Sequence, residues 1–118
     1  KDAIIAENLG ADGIIVSNHG GRQLDGTSSS IMALDKIVNQ VGKNIEVYFD
    51  GGIRSGQDIV KAISLGAKGV FIGRPYLYGL GSNGKEGVEK VLEILIKELQ
   101  TTMVLCEKKN VKNLNFEN

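Results

Sequence analysis

Cysteine, proline and histidine each occur once in these 118 residues, and arginine occurs only three times. The single cysteine, Cys106, excludes an internal disulfide. No apolar run approaches the roughly 20 residues that a helix needs to cross a bilayer. An excess of one charge is missing too: 14 basic and 14 acidic side chains balance, which argues against a nucleic-acid-binding protein. The chain begins at Lys1 rather than Met, and no charged-then-apolar secretory segment is present. The start therefore reads as cut, and a reducing, aqueous compartment is expected. What is present, 42% hydrophobic residues with both charge signs interspersed, fits an ordinary soluble domain.

Strand and helix patterns alternate along the chain. Residues 1 to 9 read as the end of a helix, with Gly10 in place for a left-handed stop. Gly13-Ile14-Ile15-Val16 is a short continuous apolar run rich in β-branched residues, as expected of a parallel strand covered on both faces. After a glycine-rich polar loop, Ser28 to Ser30 precede a helix from Ile31 to Val41, with Ile31, Leu34, Ile37, Val38 and Val41 on one face. A second strand, Ile45 to Phe49, is followed by a loop from Asp50 to Gly56 and a helix near Gln57 to Leu65. A third strand, Gly69 to Ile72, leads through a loop around Gly73-Arg74-Pro75 to a long helix from about Lys85 to Leu105. Val88, Val91, Leu92, Leu95, Ile96 and Leu99 form its expected buried stripe.

An internal echo organises these elements. Leu9-Gly10-Ala11-Asp12-Gly13-Ile14-Ile15-Val16 recurs 56 residues later as Leu65-Gly66-Ala67-Lys68-Gly69-Val70-Phe71-Ile72, with one strand in between. The repeating unit is thus a pair of βα modules, as in a (β/α)8 barrel; a doubly wound open sheet is the competing fold. A barrel of roughly 250 residues spends about 30 on each βα unit. Three strands alone would leave two unpaired edges and an open apolar face. The expected fold class is therefore α/β, with residues 1–118 forming the C-terminal part of one larger TIM barrel, its last three βα units.

The scarce residues are sorted by position. His19 and Arg22 follow the first strand, Arg54 the second and Arg74 the third, while eleven lysines are spread over the chain. Loops after strands form the catalytic face of a barrel, and those after the last two strands commonly bind phosphate. In Asp50-Gly51-Gly52-Ile53-Arg54 and Gly73-Arg74, glycine allows close approach of backbone N–H groups to an anion, and arginine supplies a planar donor fork. The plainer alternative is that the glycines make tight turns and the arginines are only solvated. Both loops together, at the ends of neighbouring strands, weigh against it. In Ser17-Asn18-His19-Gly20-Gly21-Arg22-Gln23-Leu24-Asp25, the histidine is flanked by glycine and has no apolar helix face to pack in. Histidine is the residue type best suited to act as a base near neutrality, and Arg22 could present a carboxylate substrate to it. Asp25 reads as a loop-structuring residue rather than a second acid.

Ser17 to Asp25 resembles the active-site signature of the FMN-dependent 2-hydroxy acid dehydrogenases and oxidases, the family of glycolate oxidase, lactate oxidase and the bacterial respiratory L-lactate dehydrogenase. The resemblance continues through Ile31 to Leu34, Asp50 to Gly56, Leu65 to Ala67 and Gly73 to Pro75. The two phosphate loops by themselves also resemble those of other barrels, such as IMP dehydrogenase or type 2 isopentenyl diphosphate isomerase; the histidine loop separates them. The resemblance implies that His19 is the base acting on an (S)-2-hydroxy acid, by a carbanion or a hydride route. It implies that Arg22 holds the substrate carboxylate and that Ser17 touches the flavin. Asp50, Gly51, Gly52, Ile53 and Arg54, with Gly73 and Arg74, would bind the ribityl chain and phosphate of FMN. No metal is expected.

L-lactate is the favoured substrate, then glycolate; oxygen, a quinone or a cytochrome would accept the electrons. A homotetramer and a cytoplasmic location, at the inner face of a membrane or free, are further expectations. The terminal Phe116-Glu117-Asn118 is not a peroxisomal tripeptide. In this family a lysine, an aspartate and tyrosines of the site come from earlier strands, so the chain needs the missing N-terminal part of the barrel and is expected to be inactive alone. The family usually has glycine where this chain has Glu107. Two rival readings are a phosphate-binding barrel isomerase or lyase without redox chemistry, and a non-catalytic truncated remnant.

Overall fold

The computed structural model describes residues 1–114; the terminal Phe116 to Asn118 lie outside the described residues. Helix α1 (Asp2–Asn8) leads into strand β1 (Gly13–Val16), and helix α2 (Ser30–Val41) into β2 (Glu46–Asp50). Helix α3 (Gly56–Ser64) precedes β3 (Val70–Phe71), and α4 (Arg74–Leu105) completes the set. The strands are parallel in the order β1-β2-β3, with Val16 opposite Phe49 and Phe49 opposite Val70. The expected alternation of strand and helix is therefore observed.

Side chains alternate across the sheet, and among the described residues only one of its faces is covered. Val47 and Phe49 are each 1% exposed, packed with Val16, Leu34, Val41 and Ala62 beneath the helices. On the opposite face Ile15 is 56% and Phe71 48% exposed. The apolar run of β1, expected to be covered on both sides, is covered on one among the described residues. Tyr48 shares this open face, edge-on to Phe71 with ring centroids 6.0 Å apart. Its hydroxyl donates to Glu46 Oε2 at 2.7 Å, and this bond to the carboxylate, reinforced by the negative charge, raises the phenol's pKa above its usual value. The radius of gyration is 15.3 Å; a compact chain of this length would give about 13.5 Å. A sheet with one face open, where Ile15 and Phe71 are exposed, suits a segment of a barrel.

The echoed Leu-Gly-Ala segments terminate α1 and α3 identically. Gly10 (φ 85°) and Gly66 (φ 96°) occupy the left-handed position, and the following alanines donate to carbonyls five residues back, Ala11 to Ala6 and Ala67 to Ala62, both at 3.1 Å. These are Schellman stops. A third such stop ends α4: Lys108 N–H donates to the Met103 carbonyl at 2.9 Å, with Glu107 at φ 56° in the glycine position. A side chain there costs about 1–2 kcal/mol, offset in part by the greater freedom glycine gives the unfolded chain. Glu107→Gly is therefore expected to stabilise the chain by about 0.5–1 kcal/mol, read as a higher urea midpoint at unchanged m-value.

Three expectations need correction. β3 spans two residues rather than Gly69 to Ile72. Helix α4 begins at Arg74, not near Lys85: residues 74–82 are helical, and the chain leaves helical geometry only at Asn83 and Gly84. That break lets the short first segment fold back until Gly79 and Gly87 touch backbone to backbone, a contact with no room for a Cβ on either residue. In the stripe of α4, Leu95 is buried and Val88, Val91 and Leu99 are half-buried, but Leu92 and Ile96 are exposed. The apolar arc of this helix is wider than the surface that α3 offers it.

Candidate active site

Both phosphate-type loops and the histidine loop open at the same end of the sheet because β1, β2 and β3 run parallel. His19, Arg22, Asp50, Gly51, Gly52, Ile53, Arg54, Gly73 and Arg74 line one cleft of about 370 Å³, within the usual range for small-molecule sites. Of the ten residues expected in the site, only Ser17 is not in its wall. It lies alongside, with its hydroxyl donating to Asp50 Oδ2 at 2.6 Å.

Local chemistry shapes each loop. Asp50 ends β2, and the chain then turns through Gly51 (φ 114°) and Gly52 (φ 81°). At Gly51 a Cβ would lie 2.5 Å from Ser30 Oγ, so both the backbone angle and the space demand glycine. Ile53, 3% exposed, anchors the loop in the core, while Arg54 is exposed with its guanidinium carbon 5.8 Å from the centre of the Tyr78 ring, a cation–π geometry that orients the fork. Ser55 and Asp58 form a reciprocal capping box at the start of α3. Asp58 Oδ2 accepts the N–H groups of Arg54 (3.1 Å) and Ser55 (3.0 Å), and Glu98 Oε2 accepts that of Gly56 (2.9 Å). The N-terminus of α3 is thus already occupied by two carboxylates. The candidate anion-binding donors in this loop are the Gly51, Gly52 and Ile53 amides and the arginine side chains.

Arg74 begins α4 immediately after Gly73, followed by Pro75, whose missing N–H is tolerated in a first helical turn. Its Nη2 donates to the Gly20 carbonyl at 3.4 Å, tying the loop after β3 to the loop after β1. The histidine loop is a tight turn: His19, Gly20 and Gly21 all have positive φ (52°, 66° and 77°). Asn18 Oδ1 accepts Gly20 N–H at 3.1 Å, and Ser17 Oγ accepts His19 N–H at 3.0 Å. Asp25 accepts Gly26 N–H at 2.9 Å, consistent with its loop-structuring reading. Among the described residues no cluster of His, Cys, Asp and Glu could hold a metal ion.

Sequence reasoning missed Phe71 and Leu77, which give the cleft its apolar wall. Phe71 could have been found as the last strand residue before the third loop. Leu77 was hidden because the helix that carries it was read as a loop. Tyr76 and Tyr78, which follow the Gly73-Arg74-Pro75 turn, are exposed, and the Tyr78 ring carries Arg54.

Three parallel βα units with glycine–arginine loops and a histidine gathered at one mouth define a segment of an α/β barrel. The FMN-dependent dehydrogenase family model matches residues 1–118, and the chain belongs to that family. It is 48% identical over 115 residues to an L-lactate dehydrogenase of Caulobacter vibrioides, covering 98% of this chain and 30% of the relative. It is 51% identical over 115 residues to 2-hydroxyacid oxidase 2 of Bos taurus, covering 98% and 33%. A crystal structure of mandelate oxidase Y128F superposes with a TM-score of 0.92 at 47% identity, covering 96% of this chain and 35% of that one. Another mandelate oxidase structure holds a monooxide FMN adduct. The chain therefore spans about a third of the length of these relatives.

The residues present fit part of an FMN site. Three loop amides and two arginines suit a phosphate, Asp50 suits a ribityl hydroxyl, and the apolar wall from Phe71 and Leu77 suits an aromatic ring system.

Proposed function

We propose that this chain is the C-terminal segment of an enzyme that oxidises an (S)-2-hydroxy acid to the 2-oxo acid with FMN, L-lactate being favoured over glycolate. The observation that carries this reading is the convergence of His19 and Arg22 on the same cleft as the two anion loops. A barrel that only binds phosphate has no need of a base and a second cation beside its phosphate site, and an isomerase or lyase, which would also use a base, is separated by the redox test.

In this reading Arg22 pairs with the substrate carboxylate and fixes the α-carbon within reach of the imidazole. His19 takes a proton from the substrate, from the α-carbon or from the hydroxyl, and so becomes an imidazolium beside the bound carboxylate. FMN, when bound, supplies the two-electron acceptor. Gly51, Gly52, Ile53 and Arg54, with Gly73 and Arg74, hold the phosphate end, and Asp50 meets the ribityl chain. The remaining strands of the barrel would pair with the free edges of β1 and β3, and their inward side chains would cover the open sheet face, where Ile15 and Phe71 are exposed. Without them this chain has an incomplete flavin pocket and no turnover. The electrons pass on to oxygen, a quinone or a cytochrome; a homotetramer located in the cytoplasm, free or at the inner face of a membrane, completes the proposal.

The test is anaerobic mixing of the full-length protein with L-lactate or glycolate. Loss of the yellow flavin absorbance near about 450 nm is expected. Absorbance that stays unchanged with both acids sinks the redox reading and leaves the isomerase or lyase alternative.

A further inference from the structure

His19 is held in a backbone conformation that residues with a Cβ avoid, at φ 52°. Something must hold it there, and the bonds around it show what. Ser17 and Asp50 follow and end neighbouring strands whose registers place Val16 opposite Phe49, so they stand side by side at the sheet's C-terminal edge. The Ser17 hydroxyl has a single proton, and it goes to Asp50 Oδ2 at 2.6 Å. With the proton committed, Ser17 Oγ can only accept, and it accepts the His19 N–H at 3.0 Å. A hydroxyl that donates to a carboxylate is polarised and becomes a better acceptor. Gly20, the next residue, is held by Asn18 Oδ1 on its N–H and by Arg74 on its carbonyl. The histidine thus sits between a clamp on its own amide and a clamp on its successor.

We propose that Ser17 is a positioning residue: its hydroxyl, aimed by Asp50, holds the His19 backbone in the left-handed turn that presents the imidazole to the cleft. This role is additional to any flavin contact that Ser17 makes, and it rests on the assignment of His19 as the base. The two rigid strand ends carry the turn, so the base inherits its position from the sheet rather than from a mobile loop. Asp50 then has two tasks, one toward the ribityl chain and one toward Ser17.

The experiment uses the full-length protein and the variants Ser17→Ala, Ser17→Thr, Asp50→Asn and the double variant Ser17→Ala/Asp50→Asn. The first readout needs neither FMN nor substrate: hydrogen exchange of the His19 amide by NMR, its cross-peak assigned by its loss in His19→Gln. Ser17→Ala is expected to speed that exchange about fivefold, the scale of one local hydrogen bond, and Ser17→Thr to restore it. Asp50→Asn should speed exchange in the parent protein and add nothing in the Ser17→Ala background. The second readout pairs FMN affinity with the rate of flavin reduction by substrate. With FMN saturating, Ser17→Ala should slow reduction about 100-fold, as a base displaced by ~1 Å would. Weakened FMN binding with unchanged His19 exchange would make Ser17 a flavin contact only and overturn the proposal. If no 2-hydroxy acid reduces the parent enzyme, the functional reading fails; unchanged exchange in Ser17→Ala would separately remove Ser17 from any hold on His19.

Discussion

His19→Gln in the full-length enzyme is expected to lower the rate of flavin reduction by L-lactate at least about 10³-fold while FMN remains bound. Glutamine has similar reach and can still form hydrogen bonds, but its amide cannot accept a proton near neutrality. What is lost is therefore proton transfer and not shape. His19 bonds to the rest of the fold through its backbone, to Ser17 Oγ and to Arg22 N–H, so the loop should survive the change in side chain. Stopped-flow reduction under anaerobic conditions gives the rate, and flavin fluorescence gives the bound fraction. Retained reduction at more than a tenth of the parent rate would remove His19 from its role. Arg22→Lys supplies the contrast: a lysine keeps the charge but not the planar fork, so KM for the acid should rise more than kcat falls.

Gly56→Ala is expected to remove a large part of the stability of this chain. A Cβ at Gly56 would overlap the backbone N of Leu99 and the carbonyl carbon of Glu98, and backbone cannot rotate away as a side chain can. Gly56 is buried at the first turn of α3, and its N–H is engaged by Glu98 Oε2 at 2.9 Å. The added methyl must push α3 and α4 apart, breaking this bond and opening the packing around Leu95 and Leu99. Overpacking of this kind costs about 3 kcal/mol or more. Urea denaturation should show a midpoint lowered accordingly. Loss of FMN affinity should accompany it, because the Arg54 loop leads directly into this turn. A change below about 1 kcal/mol would mean that the two helices slide easily, contrary to their contact.

Much of this was legible because local signals and tertiary demands agree. β1 was read to the residue, since an apolar β-branched run is bounded by Gly13 and by a polar loop. The two Leu-Gly-Ala stops were visible because the left-handed position strongly favours glycine, and the third was obscured because Glu107 stands in it. The site was legible for a topological reason: in a parallel sheet the residues after each strand share one end, so His19, Arg54 and Arg74 meet without any contact having to be foreseen. Residues 74–82 escaped notice because Gly79 and Gly81 argue against a helix, and Gly79 is required by the backbone contact to Gly87, a long-range fact with no local signature. The stripe on α4 was overestimated for a related reason. Periodicity shows which residues share a face, whereas exposure of Leu92 and Ile96 depends on how far the neighbouring helix extends. Ser17 was recognised as a site residue, but its bonds to Asp50 and His19 depend on strand register.

Asp58 and Glu98, which close the N-terminus of α3, have a further consequence for ionic strength. A free helix N-terminus would offer a phosphate a fixed partial charge; here two carboxylates have already neutralised it. Attraction for the phosphate then falls chiefly to Arg54 and Arg74, both exposed in this chain. Charges open to water are screened over about 8 Å at physiological salt. Until other parts of the barrel cover these arginines, the grip on a phosphate ester should weaken as salt is raised; once they are covered, that sensitivity should fade. Salt dependence of cofactor retention would thus measure how completely the barrel has closed around its own cations.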